Sequence, residues 1–536
     1  VLELAQGAGL GYLVKDSNLN HVALNADDNS LVDSVATVDT ATMAKKIGNY
    51  SYFNSYLGNF VMDEPTLVNA EGKYFSPSNS NDVRNFDHYR QITGQLNSYA
   101  NTNGYINLPA GVWFKKSLGS GEGTGESWRY NLTAENIAWY EQIVKEITEG
   151  GNAKILSFDR YLGGTSESAE DCPRYFLNLD IIREQAKASD IPFWAYAPVG
   201  EWKESGGSTS SNSKEEMYWS VNTSLAFGAK GIQYFTLAEP SGYKDDGLTM
   251  GLYDYNGNKT AWYDYVAHMN QLIAAVDDIL MRSENKGIIA TGGNAQKNAA
   301  NATYYESLTS TGTREIKASA AYRNSDNTTN YAAIQSADGV SRAKDITTTN
   351  ATAGAFAGVF DHQGKAALYV VNNDTSSAQD ITVNFTAASS YRVIGFNASG
   401  DVEEVSSLGS SCTRNVGAGE AFLLVIDEED LASTTQYFED ISGYRSGESF
   451  TAPELDGYVF AGWFDSEEAA AKDYTYDTTQ SVTASEEEKA GAIKQYRELT
   501  FADFGYSTNI YNGWGLAAPI TSDRKSVGSG KRGELG

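Results

Sequence analysis

The sequence predicts a parallel (β/α)8 TIM barrel, followed by an antiparallel β-sandwich and a small β-rich module. Three observations carry this. Six short, continuously apolar runs alternate with helix-like stretches through the first half, the pattern of parallel strands covered on both faces. Each run ends in polar or aromatic residues, as strands do where a barrel carries its site at the C-terminal rim. No glycine-rich phosphate loop follows any run, which argues against a doubly wound dinucleotide-binding sheet.

The elements follow in order. Residues 11–16 form a short strand ending in Asp16, and residues 39–56 a helix. Residues 59–65 form a strand running into Asp63-Glu64-Pro65, followed by a helix over 85–101. The strand 105–113 carries Asn107 and ends at Trp113. A helix opens at Thr133, a capping-type residue, and runs to residue 149. The strand 154–161 ends in Asp159-Arg160-Tyr161, and a helix covers 177–188. The strand 192–198, the helix 214–226, the strand 231–237 and a long helix over 261–281 complete the series. A closed barrel needs eight units. The sequence opens inside a helical stretch, Val1-Leu-Glu-Leu-Ala5, so the first two units are expected to be missing.

The expected barrel occupies residues 1–285. Residues 286–427 are rich in Ser, Thr and Asn, with short alternating runs such as Ile381-Thr-Val-Asn-Phe385, Tyr391-Arg-Val-Ile-Gly-Phe396 and Ala421-Phe-Leu-Leu-Val-Ile426. These read as a β-sandwich. An acidic linker is expected over 428–436, a small module over 437–500 and a tail over 501–536. Roughly the last fifteen residues read as foreign to the fold.

Charge and composition narrow the chemistry. The chain has 69 Asp and Glu against 40 Lys and Arg, a net charge of −29. That field repels nucleic acid and anionic membrane surfaces. No apolar run is long enough to cross a membrane as a helix. Cysteine occurs only at Cys172 and Cys412, and histidine only at His21, His88, His268 and His362. A disulfide framework, a zinc site and Ser-His-Asp chemistry are therefore not expected, and neither is a cofactor. Carboxylates remain as the candidate reactive groups.

Two resemblances add to this reading. Over residues 1–285, the runs Phe60-Val-Met-Asp-Glu-Pro65, Ile155-Leu-Ser-Phe-Asp-Arg-Tyr161, Pro192-Phe-Trp-Ala-Tyr196 and Gly228-Ala-Lys-Gly-Ile-Gln-Tyr-Phe-Thr236 resemble bacterial TIM-barrel glycoside hydrolases of the β-galactosidase and cellulase group. Such barrels often carry a trailing β-sandwich. The resemblance implies a proton-donating Glu at the end of strand 4, usually in Asn-Glu-Pro. Counted from the truncated start, Asp63-Glu64-Pro65 occupies that place, with Asp standing where the group has Asn. The second carboxylate is implied at the end of strand 7. The segment Gly457-Tyr-Val-Phe-Ala-Gly-Trp-Phe464 is similar to the Listeria–Bacteroides-type repeats of Gram-positive surface proteins. It implies an extracellular or wall-associated protein.

Glycoside hydrolysis needs two carboxyl groups flanking the scissile bond. Glu64 is the expected acid, because it follows an apolar strand and loses part of its solvation there. For the second group Glu201, Asp159 and Glu239 stay open. Aromatic rings offer faces for sugar C–H groups, and Trp113, Tyr161, Trp194, Tyr196, Trp202 and Tyr234 are candidates. Trp194 and Tyr196 share one strand face, which is either the barrel interior or the helix side. Asp63, Asp16 and Asn107 are candidate hydroxyl ligands, and the loop 116–128 a candidate lid. The leading expectation is a secreted glycoside hydrolase that cleaves an oligo- or polysaccharide, a host or dietary glycan, by a retaining two-carboxylate mechanism. The competing one is a non-catalytic glycan-binding surface protein on a degenerate barrel.

Overall fold

The computed structural model describes residues 2–16, 40–63, 66–68, 74–75, 83–85, 93, 96, 103–108, 140–141, 143–150, 153–161, 173–203, 209–239, 249–299, 343–426, 449–451 and 481–483. Six strands form one parallel sheet: β1 (Tyr12–Val14), β2 (Tyr56–Asp63), β3 (Asn103–Leu108), β4 (Leu156–Phe158), β5 (Phe193–Pro198) and β6 (Gly231–Phe235). Their spatial order is their chain order. A doubly wound sheet reverses order at a switch point. This sheet has no reversal, so it has the topology of a barrel wall. β2 and β3 approach closely at Gly58, where a Cβ would lie 2.2 Å from the Asn103 carbonyl oxygen.

Among the described residues, the strands are flanked by α1 (Thr40–Tyr50), α2 (Pro173–Ala188), α3 (Lys214–Ala226) and α4 (Ala261–Arg282), and by a helical stretch over 143–150, where the helix expected to end at residue 149 lies. Of the helix expected over 85–101, Thr93 and Leu96 are helical, while residue 85 closes a short strand, Val83–Asn85. That strand joins Thr66–Val68 and Tyr74–Phe75 in a small sheet the sequence pattern did not reveal. The helix side of the parallel sheet packs Val61, Ile106, Leu156, Phe158, Ala195 and Ile232 into the main core. The opposite face gathers Leu57, Tyr105, Ile155 and Trp194 into a separate cluster.

Seven strands form one antiparallel sheet: β7 (Glu284–Thr291), β8 (Ala343–Thr348), β9 (Ala355–His362), β10 (Lys365–Asn372), β11 (Gln379–Phe396), β12 (Val402–Val416) and β13 (Ala421–Ile426). The order is β7-β9-β10-β13-β11-β8, with β12 also on β11. β11 pairs with β8 through residues 381–385 and with β13 through residues 391–395. One long strand thus serves both halves of the sheet, and a core of alternate residues, including Leu368, Val370, Val383 and Leu424, is enclosed. Cys412 is buried there, and burial pushes its thiol up to about 12. β7 begins at Glu284, so it straddles the expected boundary at 285/286.

The other face of this sheet packs on the barrel helices. Phe356, Tyr369, Val371, Leu423 and Val425 share one core with α3 and α4. α3 starts at a capping box: Ser213 Oγ accepts from the Glu216 amide at 3.1 Å, and Glu216 Oε2 accepts from the Ser213 amide at 2.9 Å. Met217 to Ala226 are all buried, including Ser220, Asn222, Thr223 and Ser224. The hydroxyls of Ser220, Thr223 and Ser224 donate to carbonyls one turn back, which satisfies them inside the core. Trp219 Nε1 donates to Asn373 Oδ1 at 3.1 Å, Tyr369 Oη to Asn222 Oδ1 at 2.7 Å, and Asn222 Nδ2 to the Gly419 carbonyl at 2.9 Å.

His362 closes the junction near the end of α4. The Ser283 hydroxyl donates to the Ile279 carbonyl at 2.6 Å, so the His362 Nδ1–H donates to Ser283 Oγ at 3.1 Å. Burial first, then the charges of Arg282, Arg392 and Lys365, push the His362 imidazole down to about 4. Between about pH 6.5 and 4 the unfolded chain takes a proton there that the folded chain refuses. Stability conferred at this site is therefore complete above pH 6.5 and declines as the pH falls to 4, by about 3 kcal/mol in all. Urea unfolding at pH 7 and pH 4.5 should show His362→Gln losing less stability on acidification than the wild type. Equal losses would remove His362 as the source.

Among the described residues, no helix is long and apolar enough to cross a membrane, and no cluster of metal-ligating side chains occurs. In the expected module, Ser449–Thr451 and Ser481–Thr483 pair antiparallel. Residues 428–436 and 501–536 lie outside the described residues.

Candidate active site

Strand parity builds the site. In a strand, residues two apart share a face. Tyr105 and Trp194 define the face away from the helices. β3 therefore presents Tyr105 and Asn107 there, β4 Ser157 and then Asp159, β5 Trp194 and Tyr196, and β6 Gln233 and Phe235. The registers agree: Asn107 pairs with Asp63 and Ser157, Ser157 with Trp194, and Tyr196 with Gln233.

The lower layer is a polar cluster beneath aromatic rings. Tyr105 Oη lies 2.5 Å from Ser157 Oγ and 2.7 Å from Gln233 Oε1. Gln233 Nε2 donates to Ser157 Oγ at 3.0 Å, and Ser157 Oγ donates to Asn107 Oδ1 at 3.1 Å. Asn107 Nδ2 donates to Asp63 Oδ1 at 3.3 Å. The Tyr105 ring packs on Phe60 and Trp194 at 4.9 and 6.1 Å.

The upper layer carries the carboxylates. Asp159 is only 6 % exposed. Asp63 is half-exposed at the rim, with Lys15 Nζ at 3.8 Å. Tyr196 lies between their fields: burial chiefly, and then the Asp63 and Asp159 charges, push its phenol up, while its contact with the Tyr105 hydroxyl opposes this. It is a neutral hydroxyl at any working pH. Tyr161 and Phe235 pack at 5.9 Å beside this layer.

Asp16 and Tyr234 turn to helices, and Glu201, Trp202 and Glu239 stand past the ends of β5 and β6. Asp16 turns to α1, where it accepts from Lys46 Nζ at 2.7 and 2.9 Å and from Tyr50 Oη at 2.7 Å. Tyr234 has the opposite parity to Gln233 and donates to Asn270 Oδ1 of α4 at 3.0 Å. Glu201 begins a hairpin, Glu201–Lys203 with Thr209–Ser211, and its Oε2 lies 3.5 Å from the Thr249 amide. Trp202 pairs with Ser210 in that hairpin. Glu239 accepts from the Tyr255 amide at 2.9 Å. Glu64, Trp113 and the loop 116–128 lie outside the described residues. Tyr105, Ser157 and Gln233 were missed by the sequence reading. The signal was available as two-residue spacing to Asn107, Asp159 and Phe235.

No family model matches the sequence, and no curated protein matches it. Solved structures that align with the chain include glycoside hydrolases. A family 27 β-L-arabinopyranosidase from Geobacillus stearothermophilus aligns at 9 % identity over 77 % of this chain and 67 % of its own, with a TM-score of 0.34. A family 30 subfamily 8 xylanase from Clostridium acetobutylicum aligns at 10 % identity over 75 % of this chain and 74 % of its own, with a TM-score of 0.31. A glucosidase from Croceicoccus marinus aligns at 10 % identity over 80 % of this chain and 92 % of its own, with a TM-score of 0.26. These scores are low, and the chain's own residues carry its functional reading.

Proposed function

We propose that the chain is a glycoside hydrolase acting on a neutral oligo- or polysaccharide, with Asp63 and Asp159 as its two carboxyl groups. One observation supports this above the rest: Asp63, Asp159 and the neutral Tyr196 hydroxyl share the strand-end rim of one aromatic-lined face. A carboxylate that accepts from an amide N–H is oriented as an anion, which suits Asp63 to attack the anomeric carbon. As that bond forms and the glycosidic bond breaks, Asp159, at a strand end of the same sheet, gives its proton to the departing oxygen. In a second step it takes a proton from a water whose oxygen bonds to the anomeric carbon as the Asp63 carboxylate leaves, which frees the sugar. Retention requires the two carboxyls about 5–5.5 Å apart across the bound bond.

Glu64 remains the alternative to one member of this pair, and Glu201 the alternative to the other. The net charge of −29 favours an uncharged substrate over an acidic one. We place the protein outside the cell or on its wall, on the strength of the repeat-like segment at 457–464. The test is a panel of 4-nitrophenyl glycosides and natural glycans, with the product anomer read by NMR. Cleavage with retained configuration is the expected result. Binding to a glycan without turnover of any member of the panel would instead support the non-catalytic reading.

A further inference from the structure

We propose that Gln233, Tyr105, Ser157 and Asn107 form a one-way hydrogen-bond chain that positions the Asp63 carboxylate; this rests on the glycosidase reading above. The chain starts from Tyr105 on β3 and runs through Gln233 on β6, Ser157 on β4 and Asn107 on β3 to end on β2. Its polarity follows from proton counting. An ionised carboxylate only accepts, so the Asn107 amide must turn its NH2 toward Asp63. Asn107 Oδ1 then faces Ser157 Oγ at 3.1 Å and must accept. The single Ser157 proton is committed to it. Ser157 Oγ is left to accept from Gln233 Nε2 at 3.0 Å, and the single Tyr105 proton, which starts the chain, lies between Gln233 Oε1 at 2.7 Å and Ser157 Oγ at 2.5 Å.

Every donor along the chain thus points toward Asp63. Reversing one link would set two acceptors, or two donors, against each other within a buried cluster: Tyr105, Ser157 and Asn107 are 1, 0 and 2 % exposed. Such a mismatch is costly away from water. Asp63 itself is half-exposed, with Lys15 Nζ 3.8 Å away. The buried chain gives it a fixed donor at a fixed strand position. Asn107, expected from sequence to touch sugar hydroxyls, is on this account a positioning residue, as are Tyr105, Ser157 and Gln233.

Two readings of the same variants decide the proposal. Tyr105→Phe keeps the ring and removes only the hydroxyl; Ser157→Ala breaks the chain at its hub without touching Tyr105 packing. On the aryl glycoside the wild type cleaves fastest, both should lower kcat by about 10- to 100-fold with KM changed by less than about twofold. Hydrogen exchange of the Asn107 side-chain amide, observed by NMR after selective Asn labelling, provides a reading independent of turnover. Its protons should be protected in the wild type and exchange at least about tenfold faster in both variants and in Asp63→Asn. Unchanged protection would overturn the chain. Lost protection with unchanged kcat would overturn its role in positioning. If the wild type cleaves nothing in the panel, the glycosidase reading falls, and the exchange measurement alone decides the chain.

Discussion

Asp159→Asn is expected to lower kcat on a methyl glycoside by about 1000-fold or more, within the range for loss of a general acid. The same change should cost far less on a 4-nitrophenyl glycoside of the same sugar. The difference is chemical. A methoxide leaving group needs a proton as the bond breaks, whereas 4-nitrophenolate leaves as a stable anion. The side chain keeps its shape, so the buried packing around residue 159 is little disturbed. Asp63→Asn should abolish turnover of both substrates alike, because displacement at the anomeric carbon needs the nucleophile whichever group leaves. Glu64→Gln separates the alternatives: a leaving-group dependence there, and none at Asp159, would hand the proton-donor role to Glu64. Rates within about tenfold of wild type for Asp159→Asn on both substrates would sink the proposed pair.

Much of this arrangement was legible in the sequence. The six apolar runs locate the six parallel strands, and their regular alternation with helices implies the observed sequential order. Asn107, Asp159, Trp194 and Tyr196 follow from strand ends and two-residue spacing. What was not legible has physical causes. Tyr234 was selected for its ring, but β6 parity turns Gln233 inward and sends Tyr234 to Asn270. Asp16 is drawn to Lys46 and Tyr50, thirty and thirty-four residues along the chain, a pairing that no local pattern encodes. β11 reads as two short apolar runs because residues 386–388 between them are exposed or unpaired, yet it is one strand serving both halves of a sheet. α3 looks like a surface helix, since Ser, Thr and Asn stud it. Its burial becomes visible only when the second sheet is set against the first and the hydroxyls turn to their own backbone.

That shared burial leads to the largest stability effect expected here. A Cβ on Gly358 of β9 would lie 2.0 Å from the Ala226 carbonyl oxygen at the end of α3. The obstacle is backbone, with Phe360 on the other side at 2.8 Å, so no side-chain rotation relieves it. Gly358→Val must push the antiparallel sheet off the helix. Overpacking costs about 1–3 kcal/mol where side chains yield, and a backbone obstacle puts this change at or above about 3 kcal/mol. The Tm should fall by roughly 3 °C if the 536 residues melt as one unit, because the unfolding entropy grows with chain length. The shape of the transition is the sharper readout. One core runs through α3, α4, Phe356, Tyr369 and Leu423, so the barrel wall and the antiparallel sheet should melt together in the wild type. In Gly358→Val the calorimetric peak should broaden or split, because the interface that couples the two layers has opened. Gly48→Ala in α1 is the control: its Cβ meets nothing within 4 Å, and alanine in a helix is favoured by about 1 kcal/mol over glycine. A Gly358→Val protein that melts in one sharp transition at the wild-type temperature would show that the two layers do not depend on this contact.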